Sequence, residues 1–255
     1  MKKKWGISYV FYRIIRFFVW LFYPKMSVIG AENLPREACV VVGNHTQMNG
    51  PICAELYFPG KRKIWCAHEM MCLKEVPAYA FQDFWSGKPK SVRWFYKILS
   101  YVIAPVSACV FRNANTIAVF RDNRLLTTFR QTVSALEEGE NVIIYPECYE
   151  PHNHIVYTFQ NRFIDVAKLY YKRSGKAVSF VPMYIAPALK QMHIGKPIFF
   201  DPEIPMEDQR KKIAEYLMDS VTEMAIVLPR HRVVPYPNLP KKEYLFNKPC
   251  EENIQ

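Results

Sequence analysis

Three apolar runs of this sequence close on residues that can do chemistry. "CVVVGNH" ends at His45, "SACVFR" at Arg112 and "NVIIYPE" at Glu147. A base, a cation and a carboxylate gathered at one edge would serve acyl or phosphoryl transfer. A neutral imidazole is suited to take the proton of a hydroxyl or amine as it attacks a carbonyl. Such a base normally needs a carboxylate to fix its tautomer, and in the serine protease template losing that acid costs about 10⁴ in turnover. Here the first acid after His45 is Glu55. Two residues can stand in for it. Asn49 lies four positions on and would face His45 on a helical turn. Glu147 arrives from another run and is expected to be the principal orienter of the ring, or the acceptor of a substrate hydroxyl. Arg112 offers a bidentate grip on a phosphate of the acceptor or of the acyl carrier, and Arg162 is a further cation near the glutamate.

The elements that must hold these residues alternate. Continuous β-rich runs at 39–43, 63–68, 107–112, 141–147, 178–185 and 198–200 suit strands buried on both faces. Leu125, Phe129, Val133 and Leu136 recur at helical spacing before a stop at Gly139. Phe163, Val166, Ala167 and Tyr170 mark a second helix ending near Gly175, and Glu207 to Leu228 a third. The pattern predicts an α/β domain over 28–228, with a central, mostly parallel sheet and helices on both faces. In such sheets ligands collect at the carboxyl ends of the strands, where His45, Arg112 and Glu147 are expected. The segment "SVRWFYKILSYVIAPV" (91–106) reads equally as a core helix, an acyl-pocket wall or a lipid-facing surface.

"NHTQMNG", "VFRNAN", "YPECYE" and "FVPMYI" occur in that order over about residues 28–200, and together they resemble the glycerolipid acyltransferase family, typified by lysophosphatidic acid acyltransferases. The resemblance implies a catalytic role for His45 and Glu147, and substrate contacts from Asn44, Arg112, Pro146 and Cys148. It also implies transfer of a fatty acyl group from a coenzyme A or acyl carrier protein thioester to a lysophospholipid-like acceptor, with no cofactor. The departures are specific. The aspartate of the family's histidine motif falls on Gly50, and the glycine, threonine and arginine after its glutamate become Cys148, Tyr149 and Glu150. Gln160 stands about where the family often has a lysine. An acid in place of the arginine disfavours a doubly charged phosphate nearby. The expectation is a changed acceptor: a lysophospholipid with a different head, or a non-phosphorylated amphiphile. The alternative is a non-catalytic, lipid-binding relative that has lost the dyad.

The two ends differ in character. Residues 1–27 hold six Lys/Arg and no acid, around an apolar and aromatic stretch from Ile7 to Tyr23. Arg13 and Arg16 would each cost roughly 2.5–3.5 kcal/mol in a bilayer centre, so a helix lying in the membrane interface is expected in place of a span. Residues 229–255 carry five prolines and little periodicity, and predict an extended arm over the surface with a frayed tip.

Across 255 residues the net charge is +11 and 15% of residues are aromatic. That combination favours a membrane surface, and no recognition motif points to nucleic acid. Seven cysteines without a C-x-x-C pair read as reduced thiols, and the absence of a cleavable signal predicts the cytoplasmic side of a membrane, monotopic or peripheral. Cys148, His152 and His154 hint at zinc, but the spacing fits a polar loop better, and no metal is expected. Cys148 as a nucleophile is disfavoured by the adjacent Glu147. His68 and Glu69 are read as packing or solvent-facing residues.

Overall fold

The β-branched runs become strands where neighbouring segments cover both their faces, and the 3.6-residue patterns become helices. The computed structural model describes residues 6–249. In chain order it forms α1 (Ile7–Phe22), β1 (Ser27–Ile29), β2 (Val40–Gly43), α2 (Asn49–Tyr57), β3 (Arg62–Ala67), α3 (Val76–Ala80), α4 (Arg93–Asn113), β4 (Thr116–Val119), α5 (Leu125–Glu137) and β5 (Asn141–Ile144). It continues with β6 (Glu147–Pro151), β7 (Tyr157–Phe159), α6 (Asp165–Ser174), β8 (Ser179–Ala186), β9 (Gln191–Ile194), β10 (Ile198–Phe199) and α7 (Met206–Val227). Lys2, Lys3, Lys4, the tip of the C-terminal arm and Cys250 lie outside the described residues. The other six cysteines are free thiols. Two compact units result, one of residues 1–24 and 65–128, the other of 25–64 and 129–255.

The second unit is an α/β fold around a mostly parallel sheet in the order β1-β9-β8-β2-β5-β3, with β10 antiparallel to β8. β2 runs parallel to both β5 and β8, and β3 parallel to β5, while β8 and β9 are antiparallel. Val40, Val41 and Val42 are wholly buried between Val142–Ile144 on one side and Phe180–Pro182 on the other. Burial on both faces is why these strands read as unbroken apolar runs. The register sets Val42 level with Ile144. The chain therefore leaves β2 and β5 at one edge, and delivers His45 and Glu147 together.

The predicted helices form with their predicted stops. Val133 and Leu136 of α5 are buried, and Gly139 turns the chain at φ +75°. Gly175 ends α6 in the same left-handed region at φ +70°, where glycine carries no Cβ penalty. α7 buries Ile213, Leu217, Val221 and Ala225, a stripe at four-residue spacing, and packs on β8. Beyond α7 the arm is irregular as expected, but it is anchored. His231 and Asn247 are buried, and Asn247 accepts a hydrogen bond from the His231 backbone N–H (2.8 Å) while donating to the Ala225 carbonyl (2.8 Å).

The first unit holds the main departure from expectation. Residues 107–112, predicted as a strand ending at Arg112, are the last turns of α4, and the strand is instead β4. A short apolar run reads the same in a strand and in a buried helix, and Pro105 falsely signals a break, since the helix continues through it. α4 also reverses the usual pattern. Its buried positions are the small Ser100, Ala104, Ser107 and Ala108, while Trp94, Phe95, Ile98, Tyr101, Val102 and Val106 are exposed. α1 packs against α4, buries only Tyr12, and exposes Phe11, Ile14, Phe17, Phe18 and Trp20. α3 and α4 share a small core of Val76, Ala80 and Ala104 with Phe84, Trp85 and Ile103.

Candidate active site at the end of β2

Asn44 is the first residue past β2 and is 2% exposed. Its side-chain N–H donates to the Ile185 carbonyl (3.1 Å), and its oxygen accepts from the Ile185 N–H (2.8 Å). Both ends of the amide are thus taken by β8. Asn44 clamps the strand end, and the contact it makes is with backbone, not with a space where substrate could lie. Only an amide side chain can donate and accept in this way.

His45 follows. Its backbone N–H donates to Glu147 Oε2 (2.5 Å), while Glu147 Oε1 accepts from the Tyr157 N–H (3.0 Å). Glu147 is 4% exposed. The expected bond from this carboxylate to the imidazole is not formed. The carboxylate meets the backbone of His45 and of β7, so it holds the peptide carrying the base and closes the β6–β7 hairpin. The geometric reason is the register: β2 and β5 end level, which brings Glu147 to the height of the His45 peptide rather than its ring. Burial raises the Glu147 carboxyl to a pKa of about 7, against the lowering effect of the two N–H donors.

The His45 ring lies edge-on to Tyr145 (centroids 5.4 Å apart, planes at 75°) and to Tyr236 (5.8 Å, 85°). Its Nδ1 is buried and has no hydrogen-bond partner among the described residues. Burial lowers its pKa to about 4, opposed weakly by the backbone of Gln47. The imidazole is therefore neutral near pH 7, and protonating it is about 3 kcal/mol harder than in water.

The turn that aims it is unusual. Thr46 and Gln47 both have positive φ (45° and 55°), a left-handed pair without glycine, which costs on the order of 1–2 kcal/mol per residue. Several contacts hold it. The Gly50 N–H donates to the His45 carbonyl (3.1 Å), and the Asn49 side chain donates to the Thr46 carbonyl (3.0 Å). Gln47 donates to the Pro237 carbonyl (3.1 Å) and to the Tyr244 hydroxyl (3.1 Å) of the arm. Asn49 thus braces the turn, and it does not fill the vacancy at Nδ1.

Gly50, where the resembled motif has its aspartate, is the second residue of α2 and stands at the tightest contact of the site. A Cβ there would stand 2.4 Å from the His45 carbonyl oxygen and 3.0 Å from the Tyr145 ring. The Tyr145 hydroxyl donates to the Gly50 carbonyl (2.7 Å). A side chain at position 50 therefore requires the backbone between His45 and Gly50 to shift, and the close packing here goes with the glycine.

Among the other expected site residues, Pro146 is buried and accepts the Gln160 N–H (2.9 Å) through its carbonyl. Cys148 is half-buried on β6, and Arg162 is exposed on a single 3₁₀ turn, Asn161–Ile164. Arg112 belongs to the other unit, at the end of α4, where its Nε donates to the Met71 carbonyl (2.6 Å). His152 faces Asp219 at 3.6 Å, and His154 Nε2 donates to the Asn247 carbonyl (3.1 Å). Among the described residues no three ligating side chains gather. His68, read as a packing residue, lies between Glu69 (3.2 Å) and Glu75 (3.0 Å) in the first unit.

Sequence reasoning missed Tyr145, Tyr236, Gln47 and Tyr244. Tyr145 was within reach, being next to Pro146. Tyr236 and Tyr244 sit in a segment without periodicity, and no local signal aims them at residue 45.

No protein-family profile matches the chain, and no curated protein matches it. Among solved structures, the fold is similar to that of the 1-acyl-sn-glycerophosphate (LPA) acyltransferase PlsC from Thermotoga maritima. The TM-score is 0.49 at 19% sequence identity, over 88% of this chain and 83% of that one.

Proposed function

We propose that the chain is a membrane-associated acyltransferase that moves a fatty acyl group from an acyl thioester to a hydroxyl or amine of a lysophospholipid-like acceptor, with His45 as general base. The observation that carries this reading is the meeting of two segments 102 residues apart, Asn44–His45 and Pro146–Glu147, joined by the bond from the His45 peptide to Glu147. The four motifs in order supply the class of chemistry.

In the reaction, His45 takes the acceptor's proton as its oxygen or nitrogen attacks the thioester carbonyl. The C–S bond then breaks, and the thiolate leaves with the proton returned by the imidazolium. Lowered basicity keeps His45 neutral and ready, at the cost of a weaker pull on the proton. Glu147 is a positioning residue that acts through the peptide of His45. The donor is a coenzyme A or acyl carrier protein thioester, and no cofactor is needed. The exposed apolar faces of α1 and α4 support membrane contact, in which the aromatic side chains enter the interface from the cytoplasmic side. Glu150 in place of an arginine supports an acceptor that is not a phosphate monoester.

A second reading has its own support. The vacancy at His45 Nδ1 and the filled space at Gly50 fit a lipid-binding protein without turnover. One experiment separates them. Purified protein on anionic vesicles is given a labelled acyl thioester with lysophosphatidic acid, zwitterionic or amino-headed acceptors, and His45→Ala is run beside it. Acyl transfer by the wild type, lost in His45→Ala with vesicle binding retained, supports the enzyme. Vesicle binding with no transfer to any acceptor supports the second reading. Clear preference for lysophosphatidic acid overturns the changed acceptor.

A further inference from the structure

An imidazole with no carboxylate on its Nδ1 can still be held by shape. Two rings from distant segments of the second unit stand nearly perpendicular to His45: Tyr145, just past β5, at 5.4 Å and 75°, and Tyr236, in the arm, at 5.8 Å and 85°. Edge-to-face pairs at these separations attract each other. A turn of the imidazole about its Cβ–Cγ bond disturbs both contacts at once. Each wall is itself fixed. The Tyr145 hydroxyl donates to the Gly50 carbonyl (2.7 Å), so this ring is tied at one end to the close of β5 and at the other to the start of α2. A Cβ at position 50 would stand 3.0 Å from the same ring, so the glycine in the place of the motif's aspartate goes with the tyrosine. Tyr236 packs on Tyr149 (5.1 Å) and Tyr157 (6.1 Å). The next residue, Pro237, accepts a hydrogen bond from the Gln47 side chain (3.1 Å), which also donates to the Tyr244 hydroxyl (3.1 Å). Gln47 lies two residues beyond His45, so the arm is tied to the very turn that carries the base. Behind these contacts the arm closes on itself, with the Val233 N–H donating to the Leu245 carbonyl (2.8 Å) and the Asn247 N–H to the His231 carbonyl (3.1 Å).

We propose that Tyr145 and Tyr236 are positioning residues that set the angle of the His45 imidazole, the part of a carboxylate's task that shape alone can perform. The proposal rests on the acyltransferase reading only for the use to which the ring is put. Aromatic walls bring no charge to Nδ1. They keep water from the ring, which agrees with the direction of its acidity, lowered by burial to a pKa of about 4. On this account the C-terminal arm belongs to the catalytic unit, since it carries one of the two walls.

Order in the ring is measured apart from turnover, so the two readings fail separately. Side-chain relaxation is recorded by NMR on the full chain carrying labelled histidine, with the His45 signal assigned as the one lost in His45→Ala. Acyl transfer from labelled acyl-coenzyme A to lysophosphatidylcholine and to lysophosphatidic acid is assayed on the same samples. The wild-type ring is expected to be as rigid as ordered backbone, with an order parameter of about 0.85. Tyr236→Leu keeps an apolar side chain and removes the flat wall. It should bring the order parameter below about 0.6. It should also lower kcat about ten- to a hundredfold, with KM for the acceptor held within about twofold. Tyr236→Phe, which keeps the ring, should recover both. Circular dichroism checks folding, and if Tyr236→Leu does not fold, Gln47→Ala, which unties the arm from the turn, is held to the same expectation. A mobile ring in the wild type, an unchanged order parameter in Tyr236→Leu, or an equal loss in Tyr236→Phe overturns the proposal. So does an unchanged kcat, with or without a raised KM, where the wild type transfers acyl groups. If Tyr236→Leu loosens the ring and Tyr236→Phe restores it but the wild type transfers no acyl group, the clamp stands and the acyltransferase reading falls.

Discussion

Two histidines of the second unit show opposite solutions to burying an imidazole. His231, in the arm, is 4% exposed and has both ring nitrogens engaged: Nδ1 donates to the Pro229 carbonyl (2.8 Å), and Nε2 accepts from the Tyr184 hydroxyl (2.7 Å). His45 has its peptide N–H tied to Glu147, as His231 has its own tied to Asn247, yet the Nδ1 of His45 has no partner among the described residues. A structural histidine is satisfied because an unmade bond in the interior costs about 1–3 kcal/mol. His45 leaves that bond unmade at a strand end, on a strained turn. The contrast is at one atom: both peptides are held, but Nδ1 is bonded in His231 and has no partner among the described residues in His45.

The largest expected effect breaks the comparison at its reactive side. His45→Ala should lower acyl transfer by about 10²–10⁴, the range for general base catalysis, while the same change at His231 leaves the site chemistry in place. Steady-state assay of both variants at saturating acceptor checks this.

Next comes a pH effect that His45 masks. Glu147 is raised from 4.5 to about 7 in the folded state, and His45 lowered from 6.5 to about 4. Between pH 4.5 and 6.5 the folded protein therefore holds a proton on Glu147 and the unfolded chain holds one on His45. The proton counts match, and these two groups give no slope. In His45→Ala only Glu147 remains. Its folded state binds the extra proton, so stability should be greatest at low pH and fall by about 3 kcal/mol as pH rises from 4.5 to 7. Urea melts of wild type and variant across that window would show a flat curve and a falling one. A wild-type curve that rises with pH beside a flat variant curve would mean that Glu147 keeps an ordinary acidity, and parallel curves would mean that His45 does.

Gly50→Ala should destabilise by about 1–3 kcal/mol, because the new Cβ meets the His45 carbonyl. Gly50→Asp, which would restore the missing acid by sequence, should lose at least as much stability and gain no activity. A rise in turnover on that change would refute the packing account of the vacancy.

His231→Ala strands the Tyr184 hydroxyl and should cost about 2 kcal/mol in a thermal or urea melt. The smallest effect concerns the turn. Gln47→Ala removes two bonds to the arm and should cost about 1 kcal/mol, with a further loss of turnover if the arm keeps Tyr236 on the ring.

Particular residues show how far the sequence could be read. The run Val40–Val42, the stripe of α7 and the glycine stops of α5 and α6 follow from periodicity and backbone sterics, which are local. The neighbourhood of Asn44–His45 and Pro146–Glu147 was legible from motif order. The contact between them was not: a sequence shows that a glutamate is near, but strand register decides whether it meets a ring or a peptide. Residues 107–112 failed because an apolar run across a proline satisfies both a strand and a helix, and packing in the first unit chose the helix.

By itself, then, the amino-acid order determined the alternation of strands and helices, the position of a histidine just past the end of β2 and the greasy, basic character of the N-terminus, since these depend on residue type and short-range spacing. Tertiary structure alone decided that Gly50 has no room for an acid, that Glu147 grips backbone, and that Tyr236, 191 positions beyond His45 by the numbering, lies against its ring. The physical reason is that steric exclusion and hydrogen-bond partnership depend on distances between chain segments, and those exist only once the sheet has set its register and the arm has closed over it.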